Sequence, residues 1–118
     1  MNSLLDKHRN TGNDRILPAR DKDGYLRNLQ DWNEQVAVQL AAAEEITLQP
    51  SHWEIILLLR RFHDRYGLSP AMRPLVRYVR MELGSEKGNS LYLLQLFPGN
   101  PALIASKIAG LPRPENCF

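Results

Sequence analysis

The sequence predicts a mainly α fold: a small orthogonal helical bundle with an N-terminal β-hairpin and a mobile C-terminal arm. Five segments combine apolar residues at helical spacing with capping residues or prolines at their starts, and most end on a glycine. An Asp-Gly pair separates two short runs near the start, and two prolines follow the last helical segment. We expect a flexible extension over 1–13, a helical domain over 14–110 and an arm over 111–118.

The segment "DRILPARDKDGYLRNL" carries the hairpin signal. Asp-Gly is favoured in tight turns between antiparallel strands, so we place strands near 15–18 and 24–28. Pro18 cannot donate a backbone hydrogen bond, which marks the first strand as an edge strand.

The first two helices are predicted over 31–46 and 49–67. Asp31 is the expected N-cap of the first, with Glu34 completing a capping box. Its apolar face holds Trp32, Val36, Leu40 and Ala43. In the second, Pro50 suits the first turn and Gly67 the end, and the apolar run 55–59 indicates the central helix of the bundle.

Three further helices follow. Ser69 and Pro70 are expected to open the third and Gly84 to end it. The fourth lies within "EKGNSLYLLQLF", and the fifth runs from Asn100, its N-cap, to Gly110. The core stripe of the third helix consists of Met72, Leu75, Val76, Val79 and Leu83.

Composition narrows the class of protein. No stretch of 18 apolar residues and no signal-peptide pattern occurs in the sequence. The three histidines are far apart and there is one cysteine, so we expect no metal site and no cofactor. The expected protein is soluble, cytoplasmic and monomeric when alone, and it binds no membrane.

Positive charge is concentrated in the second half of the chain. Residues 1–59 contain 6 Lys/Arg and 9 Asp/Glu, whereas residues 60–118 contain 9 and 4. Arg73, Arg77 and Arg80 form a basic stripe on the third helix, which is either a solvated face or a docking face for an acidic protein or RNA. Helices two and three also have a helix-turn-helix spacing. Lys87 lies at a helix start, where capping and anion binding are both open.

The single cysteine, Cys117, follows a proline-rich stretch that cannot be helical. Pro112 and Pro114 favour an extended arm, which would carry the thiol roughly 20 Å beyond the bundle if undocked. The carboxylates of Glu115 and of the chain end disfavour a thiolate here. Such a thiol suits a carrier, activated by its partner, better than a self-contained turnover enzyme.

Four stretches together resemble the TusE/DsrC family of small sulfur-relay proteins: "DKDGYL", "HWEIILLLRRFHDRYGLSPAMRPLVRYV", "EKGNSLYLLQLFPGNPA" and "KIAGLPRPENCF". The resemblance implies a helical bundle with an N-terminal hairpin and a mobile arm, and it implies that Cys117 carries sulfur as a persulfide. Members tied to sulfite reductase have a second cysteine where this sequence has Ser106.

The single-cysteine pattern resembles the TusE branch of that family. This implies sulfur transfer from a TusBCD-like donor complex to an MnmA-like thiouridylase that makes 2-thiouridine in tRNA. We expect Arg113 and Lys107 to guide the arm into both partners. Two alternatives stay open: a DsrC-like trafficking or regulatory protein of sulfur oxidation or sulfite metabolism, and a nucleic-acid-binding module built on helices two and three.

Overall fold

The computed structural model describes residues 16–115, and within them the fold is helical. A 3₁₀ turn, Leu29–Asp31, precedes five α-helices. These are α1 (Glu34–Ala43), α2 (Pro50–Tyr66), α3 (Met72–Leu83), α4 (Ser90–Leu96) and α5 (Pro101–Ile108). None of the helices in this range has the length and apolar character needed to cross a bilayer.

The predicted N-terminal hairpin is wrong as a pair of strands. The "DKDG" turn does form, since Gly24 N–H donates to Asp21 O at 3.0 Å. Beyond it the backbone makes one antiparallel bridge, between Arg20 and Leu26, and residues 16–115 hold no strand. Two short runs with no third strand beside them gain too little from pairing to form a sheet.

Two predicted helix starts are also wrong. Asn33, not Asp31, caps α1, and its side chain accepts a hydrogen bond from Val36 N–H at 2.8 Å. The third helix begins at Met72 after an extended Ala71, so neither Ser69 nor Pro70 opens it. The predicted cap Asn100 accepts a hydrogen bond from Leu103 N–H, and Asn89 accepts one from Tyr92 N–H at the start of α4. Each bond satisfies a donor that the first turn leaves unpaired.

The core is organised around the last helix rather than the second. Helix α5 packs against each of the other four α-helices. It contributes the fully buried Ala102, Ala105 and Ile108, all small or medium side chains that let neighbours approach closely. The predicted stripe of α3 does face the core: Leu75 and Val79 are buried, and Met72, Val76 and Leu83 pack against the cluster. On α1, Val36 and Leu40 are buried, whereas Ala43 is exposed.

Candidate functional site: the root of the C-terminal arm

The end of α5 fixes the direction in which the chain leaves the bundle. Gly110 has a φ of +73°, and its N–H donates to Lys107 O at 3.0 Å. The N–H of Leu111 donates to Ser106 O, also at 3.0 Å. This pair of bonds is the Schellman motif, which reverses the chain after a left-handed residue and satisfies carbonyls of the last turn.

Trp32 and Arg60 hold the same helix end from outside. Trp32 Nε1 donates to Ile108 O at 2.9 Å, and Arg60 Nη1 donates to Ala109 O at 2.6 Å. The guanidinium of Arg60 lies over the indole ring, with Cζ 3.9 Å from the ring centroid. Burial lowers the pKa of Arg60 from its usual value, and the nearby charge of Asp64 opposes that shift. We name this pair the Trp32–Arg60 clamp.

Sequence reasoning missed the clamp. It placed Trp32 on the apolar face of a helix and assigned no contact to Arg60. The only available signals were the "DWN" stretch, where Asn33 is an equally good N-cap, and an arginine directly after the apolar run of α2. Neither indicates that both side chains bind carbonyls at the end of α5, 76 residues after Trp32 and 49 residues after Arg60.

Residues 111–114 attach the arm to the bundle, and we call them the arm root. Leu111 is in the core at 2% exposure, and Pro114 is also buried. The hydroxyl of Ser69 donates to Pro112 O at 2.6 Å. Arg113 Nη1 lies 3.4 Å from Asp23 Oδ2, in an ion pair that is about half exposed on both sides. The first four residues of the arm therefore contact the bundle.

Cys117, the predicted persulfide site, lies outside the described residues, as does the extension predicted over 1–13. The predicted second-cysteine position, Ser106, lies inside α5 and is completely buried. Its Oγ has no hydrogen-bond partner among the described residues. Ser106 therefore occupies a packed position in the core, next to the carbonyls that fix the turn into the arm.

The six predicted docking cations fall into different environments. Lys107 pairs with Glu44 at 3.0 Å and lies 5.3 Å from the Tyr25 ring, so it is half-buried near the turn that also carries Asp23. Lys107 and Arg113 therefore both lie against this turn, Lys107 before the arm root and Arg113 within it.

The other four cations lie on α3 and at the start of α4. Lys87 pairs with Glu54 at 2.7 Å, and the hydrogen bond that Lys87 Nζ donates to that carboxylate raises the pKa of Lys87. Arg80 Nε donates to Gly88 O at 3.3 Å. Arg73 and Arg77 are exposed, and neither has an ion pair with a described residue. Within residues 16–115 no group of histidine, cysteine, aspartate or glutamate side chains could hold a metal ion.

Comparison with known proteins identifies the family. The family described as "DsrC like protein" matches residues 14–118, which include both the arm root and Cys117. The chain belongs to the DsrC-like family. Its curated relatives include sulfurtransferase TusE of Photorhabdus laumondii, 52% identical over 83% of this chain and 88% of the relative. Sulfurtransferase TusE of Escherichia coli is 47% identical over 83% of this chain and 90% of its own length.

Solved DsrC structures share the fold of this DsrC-like chain. Allochromatium vinosum DsrC superposes with a TM-score of 0.78 at 46% identity, covering 85% of this chain and 89% of that one. The oxidized gamma-subunit of the dissimilatory sulfite reductase (DsrC) from Archaeoglobus fulgidus gives 0.74 at 38% identity, covering 86% and 92%. The family resemblance read from the four sequence stretches is therefore confirmed.

Proposed function

We propose that the chain is a sulfur carrier. It accepts persulfide sulfur on Cys117 from a TusBCD-like donor complex and passes it to an MnmA-like thiouridylase for the synthesis of wobble 2-thiouridine in tRNA. The observation that carries this proposal is the family match over 14–118, since it includes Cys117, the single cysteine of the sequence. Curated relatives named sulfurtransferase TusE support it.

The loading step exchanges one sulfur atom without net oxidation. The thiolate of Cys117 attacks the terminal sulfur of a donor cysteine persulfide, and the donor's S–S bond breaks. The donor cysteine leaves as a thiolate, and Cys117 becomes the persulfide. An acceptor cysteine thiolate then attacks the terminal sulfur on Cys117 in the same way, which returns Cys117 to a thiolate.

The arm root supports a carrier role because it attaches the chain to the bundle a few residues before the proposed reactive residue. The Trp32–Arg60 clamp holds the end of α5, and Ser69 binds the carbonyl of Pro112. A group that must enter two partners in turn loses less conformational entropy on insertion when only its last residues remain to be ordered.

Intact-mass spectrometry after incubation with a persulfide-loaded donor complex tests the proposal. We expect a mass increase of one sulfur atom that disappears on reduction and is lost in Cys117→Ser. A variant lacking 115–118, cut directly after the buried Pro114, is expected to accept no sulfur while its melting temperature stays close to that of the full chain. An adduct that persists in Cys117→Ser would falsify the assignment of the carrier residue.

The likeness to solved DsrC structures favours one second candidate, a DsrC-like trafficking role in sulfur oxidation or sulfite metabolism. Ser106 separates the two candidates chemically. A serine there cannot form a disulfide with Cys117, so this sequence has no internal route for releasing the sulfur. Trapping a Cys117 mixed disulfide in cells and identifying the captured protein decides between a thiouridylase and a sulfite-metabolising enzyme.

A further inference from the structure

The attachment of the arm root limits how far Cys117 can travel. Cys117 is three residues beyond the buried Pro114, and three extended residues span at most about 11 Å. An arm that was free from Gly110 onward would reach about twice as far. While the root is docked, a partner's reactive sulfur must therefore come within that short radius of Pro114.

Glu115, the residue after Pro114, lines a groove at the corner between α2 and α3. Pro112, Arg113 and Glu115 line a shallow groove together with residues of this corner, among them Phe62, Leu68, Pro70 and Pro74. Tyr66 and Leu68 are 51% and 54% exposed although both are large apolar side chains. A partner that docks at this corner covers them, and covering exposed apolar area favours association.

The charged side chains around this corner have a small positive excess, since Arg60, Arg65, Arg73 and Arg113 outnumber three acids. Arg65 and Arg73 flank it and form no ion pair with a described residue. Among the nearby acids, Asp23 is paired with Arg113. Asp64 acts on the charge of Arg60. Glu115 is the one acid on the rim of the groove with no ion pair to the described part of the chain.

We propose that the corner formed by Arg65, Tyr66, Leu68 and Arg73 is the docking surface for the sulfur donor, and that the donor presents an acidic surface around an apolar contact to Leu68. This docking surface rests on the proposed function. It specifies which part of the positively charged second half of the chain, 60–118, contacts the partner. Of the arginine stripe on α3, only Arg73 lies at the corner. Arg77 and Arg80 are about 6 and 10 Å further along the helix axis.

Steady-state sulfur acceptance from purified, persulfide-loaded TusBCD complex tests this surface. Charge reversal in Arg73→Glu is expected to raise KM about tenfold with kcat unchanged, because it places a carboxylate against an acidic partner. Arg77→Glu and Arg80→Glu make the same change in net charge and are expected to raise KM progressively less. Leu68→Ser is expected to raise KM several-fold. The control is Leu91→Ser on α4, where Leu91 is 67% exposed and far from the corner in sequence, and it is expected to leave KM unchanged.

Two outcomes overturn the docking surface. One is an equal rise of KM in all three arginine variants, which would indicate long-range attraction along the stripe rather than contact at the corner. The other is an unchanged KM in both Arg73→Glu and Leu68→Ser. If Arg73→Glu instead abolishes a tRNA gel shift and leaves KM for the donor unchanged, the corner binds RNA and the proposal is wrong.

A small-molecule donor separates this proposal from the proposed function. Glutathione persulfide needs no docking surface, so it is expected to load Cys117 equally in wild type and in every corner variant. A wild-type chain that takes sulfur from glutathione persulfide but none from the donor complex refutes the proposed donor, and the docking surface with it. If the complex loads the wild-type chain and the corner variants have the same KM as wild type, the docking surface alone is refuted. Melting temperatures within a few degrees of wild type confirm that the variants are folded.

Discussion

Gly110→Ala tests whether the Trp32–Arg60 clamp is packed as tightly as the structure indicates. Gly110 adopts a φ of +73°, and an added Cβ would lie 2.7 Å from Trp32 Cγ and 2.9 Å from Trp32 Cβ. Trp32 cannot give way alone, because its ring is stacked under Arg60 and its Nε1 donates to Ile108 O. The Trp32–Arg60 clamp must therefore open to make room for the added Cβ.

The expected cost has two parts. A left-handed backbone costs a residue with a Cβ about 1–2 kcal/mol. Displacing the indole loses one hydrogen bond, worth about 1 kcal/mol, and a cation–π contact worth about 0.5–1 kcal/mol at a partly exposed site. The total is about 3 kcal/mol, which in a domain of this size lowers the melting temperature by roughly 10–15 °C.

Urea unfolding followed by tryptophan fluorescence measures this cost, and Gly67→Ala is the matched control. Gly67 ends α2 with a φ of +76°, but a Cβ there meets nothing within 4 Å. Its expected cost is the backbone part alone, about 1–2 kcal/mol. A Trp32→Ala background removes the indole but keeps the Cβ that would lie 2.9 Å from the new one, so Gly110→Ala should cost less there than in wild type but more than Gly67→Ala. Equal costs for the two glycines in the wild-type background would refute the packing argument.

Two further predictions concern single side chains. Ser106→Ala is expected to leave the free energy of unfolding unchanged or to raise it by up to about 1 kcal/mol, because the buried Oγ has no hydrogen-bond partner among the described residues to lose. A fall in the free energy of unfolding by more than about 1 kcal/mol, measured by urea unfolding, would show that the hydroxyl is bonded. The Asp21 carboxylate accepts a hydrogen bond from Tyr25 N–H, which lowers the pKa of Asp21, so its stabilising contribution is present near neutral pH and is lost as the pH falls through the lowered value. Wild type is therefore expected to lose stability below about pH 4 more steeply than Asp21→Asn, and parallel urea curves from pH 3 to 7 would contradict this.

Helix α2 shows how much of the fold the sequence specifies locally. Its start at Pro50 and its left-handed end at Gly67 were both predicted, because proline and glycine determine backbone angles without help from distant residues. The start of α1 was not, since Asp31 and Asn33 have similar N-cap preferences. Tertiary structure decides between them: the bond from Trp32 to Ile108 O keeps Trp32 out of the helix, so the cap falls on Asn33.

Ser69 shows that local sequence patterns also fail to predict contacts at the candidate site. Ser-Pro before an apolar stripe predicts a helix start, yet the Ser69 hydroxyl binds Pro112 O, 43 residues away. The proline pattern of the arm predicts its extended backbone but contains no information on where that backbone rests. An arm could therefore be predicted from its own residues. The docking of its first four residues could not, because it depends on contacts between residues that are far apart in the sequence.

Under the proposed carrier role, Ser106 and the arm root together confine the sulfur chemistry to Cys117. The Oγ of Ser106 has no exposed surface, so neither a partner nor a persulfide can contact it unless the bundle opens. The root meanwhile holds residues 111–114 against the bundle and leaves Cys117 a radius of about 11 Å from Pro114. In the proposed carrier, a sulfur atom on Cys117 has no second thiol in this sequence to attack it, so it leaves only to a thiolate that a partner brings within reach of the arm. On the proposed docking surface, the specificity of transfer therefore depends on how the partner fits the α2–α3 corner rather than on an internal step.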